Sequence, residues 1–258
     1  MIKKFFNDLG NVFKKEGIKS VVGKSIAFLK RKIFIALPNS LKLSFAQKIN
    51  KFQSENIDGV INYCFYVLGG IIRPLQIPHE FKGFLQVFKD KAPKTILEIG
   101  TASGGSLFSL CKLAPSDATL LSIDLPEGKF GGGYPEWKTP IYRLFKKDNQ
   151  KIYLLREDSH LEQTVKKVND ILLGKKIDFL FIDGDHSYDG VKKDFEMYSS
   201  LVNKGGIIAF HDVAPNGLPE FTGGVPKFWK EIKNKYTYEE FIQDEKQTGY
   251  GIGCLFIN

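Results

Sequence analysis

From Thr95 onward, short apolar runs alternate with amphipathic stretches, and this alternation constrains the fold more than any other feature. The strand candidates are Thr95–Ile99, Thr119–Asp124, Lys151–Arg156, Ile177–Asp183 and Gly206–His211. Between and after them lie helical segments at Ser106–Leu113, Glu136–Lys147, Leu161–Leu173, Val191–Leu201 and Val225–Lys235. Five consecutive βα units imply a mostly parallel sheet with helices on both faces. Tyr238–Gln243 and Gly251–Ile257 follow with no helix between them, which suggests a closing hairpin and one antiparallel strand. The class is therefore α/β, with a Rossmann-like domain over 76–258 and a basic helical extension over 1–75.

Charge separates these two parts. Residues 1–52 hold twelve Lys and Arg against Asp8 and Glu16, a net of +10, whereas the rest carries 25 basic and 27 acidic residues, a net of −2. In the extension, Ile2, Phe5, Phe6, Leu9, Val12 and Phe13 recur at helical spacing among lysines, and 21–37 repeats the mixture. Such helices can lie on anionic lipid, pack on the protein's own core, or pair with a second subunit. Peripheral membrane contact through residues 1–52 and a homo-oligomer thus both stay open. Nucleic acid is not expected, because no recognised binding module accompanies the charge. Lysines interrupt every candidate signal-peptide core, and the longest apolar run, Val60 to Ile72, is shorter than the roughly 20 residues of a membrane span. Cys64, Cys111 and Cys254 fit neither a disulfide framework nor a C-x-x-C site and read as buried small hydrophobes. The expected location is cytoplasmic, with the inner membrane surface as an added contact.

Ligands of such sheets bind beyond the carboxyl ends of the strands, and the residues with chemical character fall there. Glu98 lies near the end of the first strand, and Gly100, Gly104 and Gly105 form a turn before a helix whose N-terminus offers free N–H groups. Asp124 closes the second strand, where a carboxylate suits a ribose diol. A nicotinamide enzyme would place an acid there too, but Ala102 stands where G-x-G-x-x-G has its middle glycine. Past the third strand, Asp158 and Ser159 could meet an exocyclic amine or cap a helix. Asp183 ends the fourth strand, with Asp185 and His186 following, while His211 and Asp212 end the next. Two carboxylates in one crevice share a proton or a cation, here Mg²⁺ or another hard divalent ion. His186 is placed to accept a proton from a substrate hydroxyl. Tyr134 and Trp137, beside the Gly131–Gly133 loop, suggest an aromatic lid for a sugar ring.

The blocks ILEIGTASGGS, SIDLPEGKFGGGY, EDSH, LFIDGDHSYDGVKKDF, GGIIAFHDV, GVPKFWKEI and GYGIGCL together resemble class I S-adenosylmethionine-dependent methyltransferases, in the group of cephalosporin-hydroxylase and macrolide-sugar O-methyltransferase relatives. The resemblance runs from about Gln76 to the C-terminal residues. It implies a seven-stranded sheet with a reversed last strand and a cofactor pocket at the switch point. Glu98, Gly100, Thr101, Gly104 and Ser106 would line the methionine end, Asp124 the ribose, and Asp158 and Ser159 the adenine. Metal-dependent relatives use an acid, a histidine three residues on, and an acidic pair on the next strand. Asp183, His186 and Asp212 match that pattern, and His211 stands where a relative has a carboxylate. The expected metal set is Asp183, Asp212 and His211, with Asp185 as a substitute, and His186 with Asp183 is the catalytic pair. The implied activity is O-methylation of a small-molecule or glycan hydroxyl. The competing readings are a non-catalytic nucleotide-binding module that docks on a membrane, and a nicotinamide-dependent oxidoreductase.

Overall fold

The computed structural model describes residues 47–49, 51–67, 71–126, 133–147 and 149–258. The expected basic helices of 1–46 and the centre of the Gly131–Gly133 loop lie outside those residues. Helix α1 (Ile57–Asn62) starts at Asn56, whose side chain accepts from the Asp58 N–H, and continues as a π-helical turn to Val67. Then come α2 (Pro78–Lys91), β1 (Thr95–Ile99), α3 (Gly105–Leu113), β2 (Thr119–Ile123), α4 (Thr139–Tyr142), β3 (Lys151–Leu155), α5 (Glu162–Leu172), β4 (Ile177–Ile182) and α6 (Tyr188–Tyr198). The chain closes with β5 (Val202–His211), α7 (Pro219–Thr222), α8 (Val225–Ile232), β6 (Thr237–Phe241) and β7 (Ile252–Phe256).

The seven strands form one sheet in the order β3-β2-β1-β4-β5-β7-β6. The pairs among β1 to β5 are parallel, while β7 runs antiparallel to both β5 and β6. The expected fold class and the single reversed last strand are thus observed. Strand order turns at β1 and β4, so the crevice lies beyond Ile99 and Ile182. The central strands are buried on both faces and are apolar at nearly every position, as a covered parallel sheet requires. Alternation then deals their side chains to two cores. Ile96, Phe179, Phe181 and Ala209 pack with α2 and α3 through Phe84, Phe88 and Phe108. Leu97, Leu180, Ile182 and Phe210 pack with α6 and α8 through Val191, Phe228 and Trp229. Ile57, Val60, Ile61, Cys64 and Phe65 belong to the first core, so apolar chain well upstream of residue 76 is built into the domain. All three cysteines are free and buried, and burial pushes their thiols up, Cys64 to about 12. Among the described residues no helix is long and apolar enough to cross a membrane.

Two segments differ from the sequence expectation. The single helix expected at Glu136–Lys147 is three short turns: a 3₁₀ turn at Glu136–Lys138, α4, and a 3₁₀ turn at Arg143–Phe145. Pro140 is the cause, since it lacks an N–H and its ring would strike the carbonyl four residues back. No element is expected from the sequence at 78–91, where helix α2 lies. Pro78 in fact starts that helix, Ala92 ends it in the left-handed region at φ 46°, and Pro93 follows. Its face carries Phe81, Phe84, Leu85 and Phe88. Glu80 on α2 is fully buried: Oε1 accepts from the Gln243 N–H and Gln247 Nε2, and Oε2 accepts from the Gly251 N–H. One carboxylate thereby fastens α2 to the connection between β6 and β7.

Candidate active site at the strand ends

The turn after β1 forms because Gly100 takes φ 95°, which lets the chain cross the end of β4. A Cβ at Gly100 would sit 1.9 Å from the Asp183 carbonyl oxygen. Gly100→Ala is therefore expected to destabilise the protein by about 3 kcal/mol or more, a fall in Tm of roughly 6 °C. A variant that melts with the parent would contradict this packing. Gly104, at φ 89°, is the N-cap of α3, and a Cβ there would meet the Tyr142 ring at 2.6 Å. Thr101 and Ser106 are buried in the same turn, and the Thr101 hydroxyl pairs with that of Ser122. Glu98 is fully buried with neither carboxylate oxygen hydrogen-bonded. Burial pushes it up to about 8 against the nearby Ser106 and Thr101 hydroxyls, so near neutrality it favours the protonated form.

Asp124 follows β2, and its Oδ2 accepts the N–H groups of Ala102 at 2.9 Å and Tyr134 at 3.1 Å. Burial raises it to about 6 despite those donors, which leaves it mostly ionised at neutral pH with Oδ1 for a ligand. Asp158 does not cap α5, whose N-cap is Leu161; its Oδ1 accepts from the His160 N–H, forming a tight turn. Ser159 accepts the Tyr198 hydroxyl through its carbonyl. His160 Nε2 lies 3.3 Å from the buried Asp194, and that contact raises the imidazole above its ordinary value. Gly100, Asp124, Asp158, Ser159 and Asp183 line one cavity of about 530 Å³. Asp124, Glu157, Asp158, Asp183 and Asp185 face it, and no Lys or Arg is among its described lining residues.

Beyond β4 and β5 the acids and imidazoles interlock. Asp183 Oδ1 lies 3.0 Å from His211 Nδ1 and 3.6 Å from His186 Nε2, and its Oδ2 accepts from Gln76 Nε2 at 2.8 Å. Asp212 Oδ2 lies 2.9 Å from His186 Nδ1, and its Oδ1 accepts from the Tyr250 N–H. Burial opposes ionisation of Asp183, yet the charge and hydrogen bonds of both imidazoles hold it near 2. Burial likewise opposes the imidazolium forms, but the paired carboxylates carry His186 to about 10 and His211 to about 9. His186 thus holds its proton firmly, between the Asp183 and Asp212 carboxylates. Ligand atoms of Asp183, His186 and Asp212 lie within 4.8 Å of one another, a spacing that suits one divalent ion. His211 is instead the buried partner of Asp183, its Nε2 without a hydrogen bond. Asp185 accepts the Ser187 N–H at the start of α6 and stands outside the trio.

The structure does not turn the two aromatic residues of the sequence reading toward a ligand in the same way. Tyr134 is 2% exposed, and its ring packs on Tyr142 with centroids 4.8 Å apart. It reaches the site through its backbone N–H. Trp137 is partly buried against the same core. Sequence reasoning missed Gln76, whose buried amide holds Asp183, and Tyr250, whose left-handed backbone (φ 66°) holds Asp212. Gln76 lies in an irregular approach with no periodic pattern, so nothing local marked it. Tyr250 sits in GYGIG, where dense glycine does signal a special backbone.

With this geometry in view, three comparisons place the chain. Residues 97–213 match a family model described as a methyltransferase domain. An uncharacterized protein, R132, of Acanthamoeba polyphaga mimivirus is 32% identical over 165 residues, covering 59% of this chain and 67% of its own. An uncharacterized protein, y4gI, of Sinorhizobium fredii is 29% identical over 143 residues; this is 54% of the present chain but only 15% of that relative's length. A crystal structure of an O-methyltransferase from Bacillus cereus in complex with SAH aligns with TM-score 0.52 at 16% identity, over 83% of this chain and 96% of that one. At that identity the likeness is one of fold.

Proposed function

Because this chain belongs to the methyltransferase-domain family, we propose that it binds S-adenosylmethionine in the strand-end cavity and methylates an oxygen of a small-molecule acceptor. One observation carries this reading: among the described residues, five carboxylates and no Lys or Arg face a cavity of about 530 Å³. That lining suits a ligand with a sulfonium and an ammonium, and it repels the pyrophosphate of a dinucleotide. The cofactor supplies an activated methyl group when bound. Glu98 and the Gly100–Ser106 turn would take its amino-acid end, Asp124 its ribose diol, and Asp158 and Ser159 its adenine. SAH in the Bacillus cereus structure of like fold supports S-adenosylmethionine as the ligand class.

Asp183, His186 and Asp212 would hold a divalent cation, Mg²⁺ in our reading, which polarises the acceptor hydroxyl. Either role for His186, ligand to that cation or acceptor of the hydroxyl proton, would use a ring nitrogen that must first lose the proton held by the paired carboxylates. A sugar or glycan hydroxyl is the proposed acceptor, on the resemblance to macrolide-sugar O-methyltransferases. A cytoplasmic protein that touches the membrane through residues 1–52, or self-associates through them, is part of the same proposal.

Calorimetric titration with S-adenosylmethionine, with and without Mg²⁺, tests the core of it. A dissociation constant on the order of 10 μM is expected. Asp124→Ala should weaken it about tenfold or more, the effect of losing hydrogen bonds to a charged group. Absence of binding under both conditions would leave only a shared fold.

A further inference from the structure

Helix α3 starts at the cofactor turn and carries the chain about 13 Å to the opposite edge of the sheet. A second cavity, of about 250 Å³, opens there, lined by Lys112, Lys146, Lys147, Ser54, Ser116 and Glu55 among others. Lys112 is only 5% exposed, and its ammonium lies 5.6 Å from the Phe108 ring centroid. Among the described residues it has no carboxylate within ion-pair distance. Lys147 differs, since its Nζ meets Glu55 at 2.6 Å and donates to the Ala114 carbonyl. Gln150 Nε2 donates to the Cys111 and Pro115 carbonyls, so the end of α3 is capped without Lys112. A largely buried lysine whose ammonium has no anion among the described residues is unfavourable, and nothing in the cofactor cavity uses this one.

We propose that this pocket binds the phosphate of a phosphomonoester. Among the described lining residues, three lysines less Glu55 give a net of +2, which matches a monoester dianion, and two serine hydroxyls can donate to its oxygens. The volume admits the phosphate with a short organic stem. Phe52, the last residue of the basic stretch 1–52, also lines the pocket. The phosphate can therefore come from a soluble ester or from a phospholipid headgroup. The inference is independent of the methyl-transfer reading.

The test uses the full chain, inorganic phosphate and thermal melting at matched ionic strength. Millimolar phosphate should raise Tm of the parent by roughly 3 °C over chloride. Lys112→Met should abolish that shift and, without phosphate, melt at or above the parent. Lys146→Ala, at an exposed position, should reduce the shift and serves if Lys112→Met does not fold. No shift in the parent, or an equal shift in the parent and both variants, overturns the site. Flotation with phosphatidic acid against phosphatidylcholine vesicles then identifies the source. Binding lost in Lys112→Met points to a headgroup, and a phosphate shift without vesicle binding points to a soluble ester.

Discussion

Replacing Asp183 by asparagine is expected to lower affinity for a divalent cation about a hundredfold, while S-adenosylmethionine binding changes by only a few-fold. Asp183 touches His211, His186 and Gln76 at once. Asparagine keeps the shape but removes one of the two carboxylate charges, its own and that of Asp212, that offset the two imidazolium protons. The loss of one partner from such a buried network should also destabilise the fold by about 3 kcal/mol. Mn²⁺ titration followed by calorimetry reads the first effect, and thermal melting reads the second. Asp170→Asn, which removes an exposed i,i+4 partner of Lys166, should change neither. An Asp183→Asn protein with parental Mn²⁺ affinity would remove the trio as a metal centre.

The second large effect is on pH dependence. In chelator, without cofactor, the protein should be most stable on the acid side of neutrality and lose stability steadily toward pH 10. The raised imidazoles of His186 and His211 stabilise the fold fully below their unfolded value of 6.5, and this is lost as pH rises through about 9 and then about 10. Buried carboxyls with raised values act in the same direction. Asp124 should lose stability between 3.8 and about 6, and Glu98 between 4.5 and about 8, as the unfolded chain releases protons the folded one keeps. Depressed Asp183 works oppositely but only at the acid limit, where its contribution disappears as pH falls from 3.8 through about 2. Each fully linked proton gives a slope on the order of 1.4 kcal/mol per pH unit. Melting in a pH series should thus peak near pH 4, and Glu98→Gln should flatten the stretch between 4.5 and 8. A maximum at pH 8 would contradict these charge states. Mn²⁺ should stabilise progressively more as pH rises, because its ligands must shed protons to bind it.

The parts of this molecule that could be read without coordinates share a physical basis. A buried parallel strand must be apolar throughout and must stop where a polar end emerges, so LLSID and FLFID announce both a strand and a site residue. Asp124, Asp158, Ser159 and Asp183 were legible for that reason and do line one cavity. The choice between His186 and His211 was not legible, because it depends on how the β5 end turns. Asp212 takes φ 63°, and its carboxylate meets His186 rather than continuing along the strand. Helix α2 was legible in principle from Phe81, Phe84, Leu85 and Phe88 after Pro78, but its glycine and lysines blur the pattern. Gln76 and Glu80 were not, since their partners lie 107 and more than 160 positions away.

The buried Glu80 clasp has a consequence for how sequences of this kind can be recombined. Residues 97–213 are the part that a family comparison recognises, yet the clasp joins helix α2, ahead of that span, to Gln243, Gln247 and Gly251, beyond it. A chimaera that inherits α2 from one parent and the β6–β7 hairpin from another would bring a carboxylate to a loop unfitted to receive it. The two flanks form one heritable unit, separated in the chain and joined in space, and they should be exchanged together or not at all.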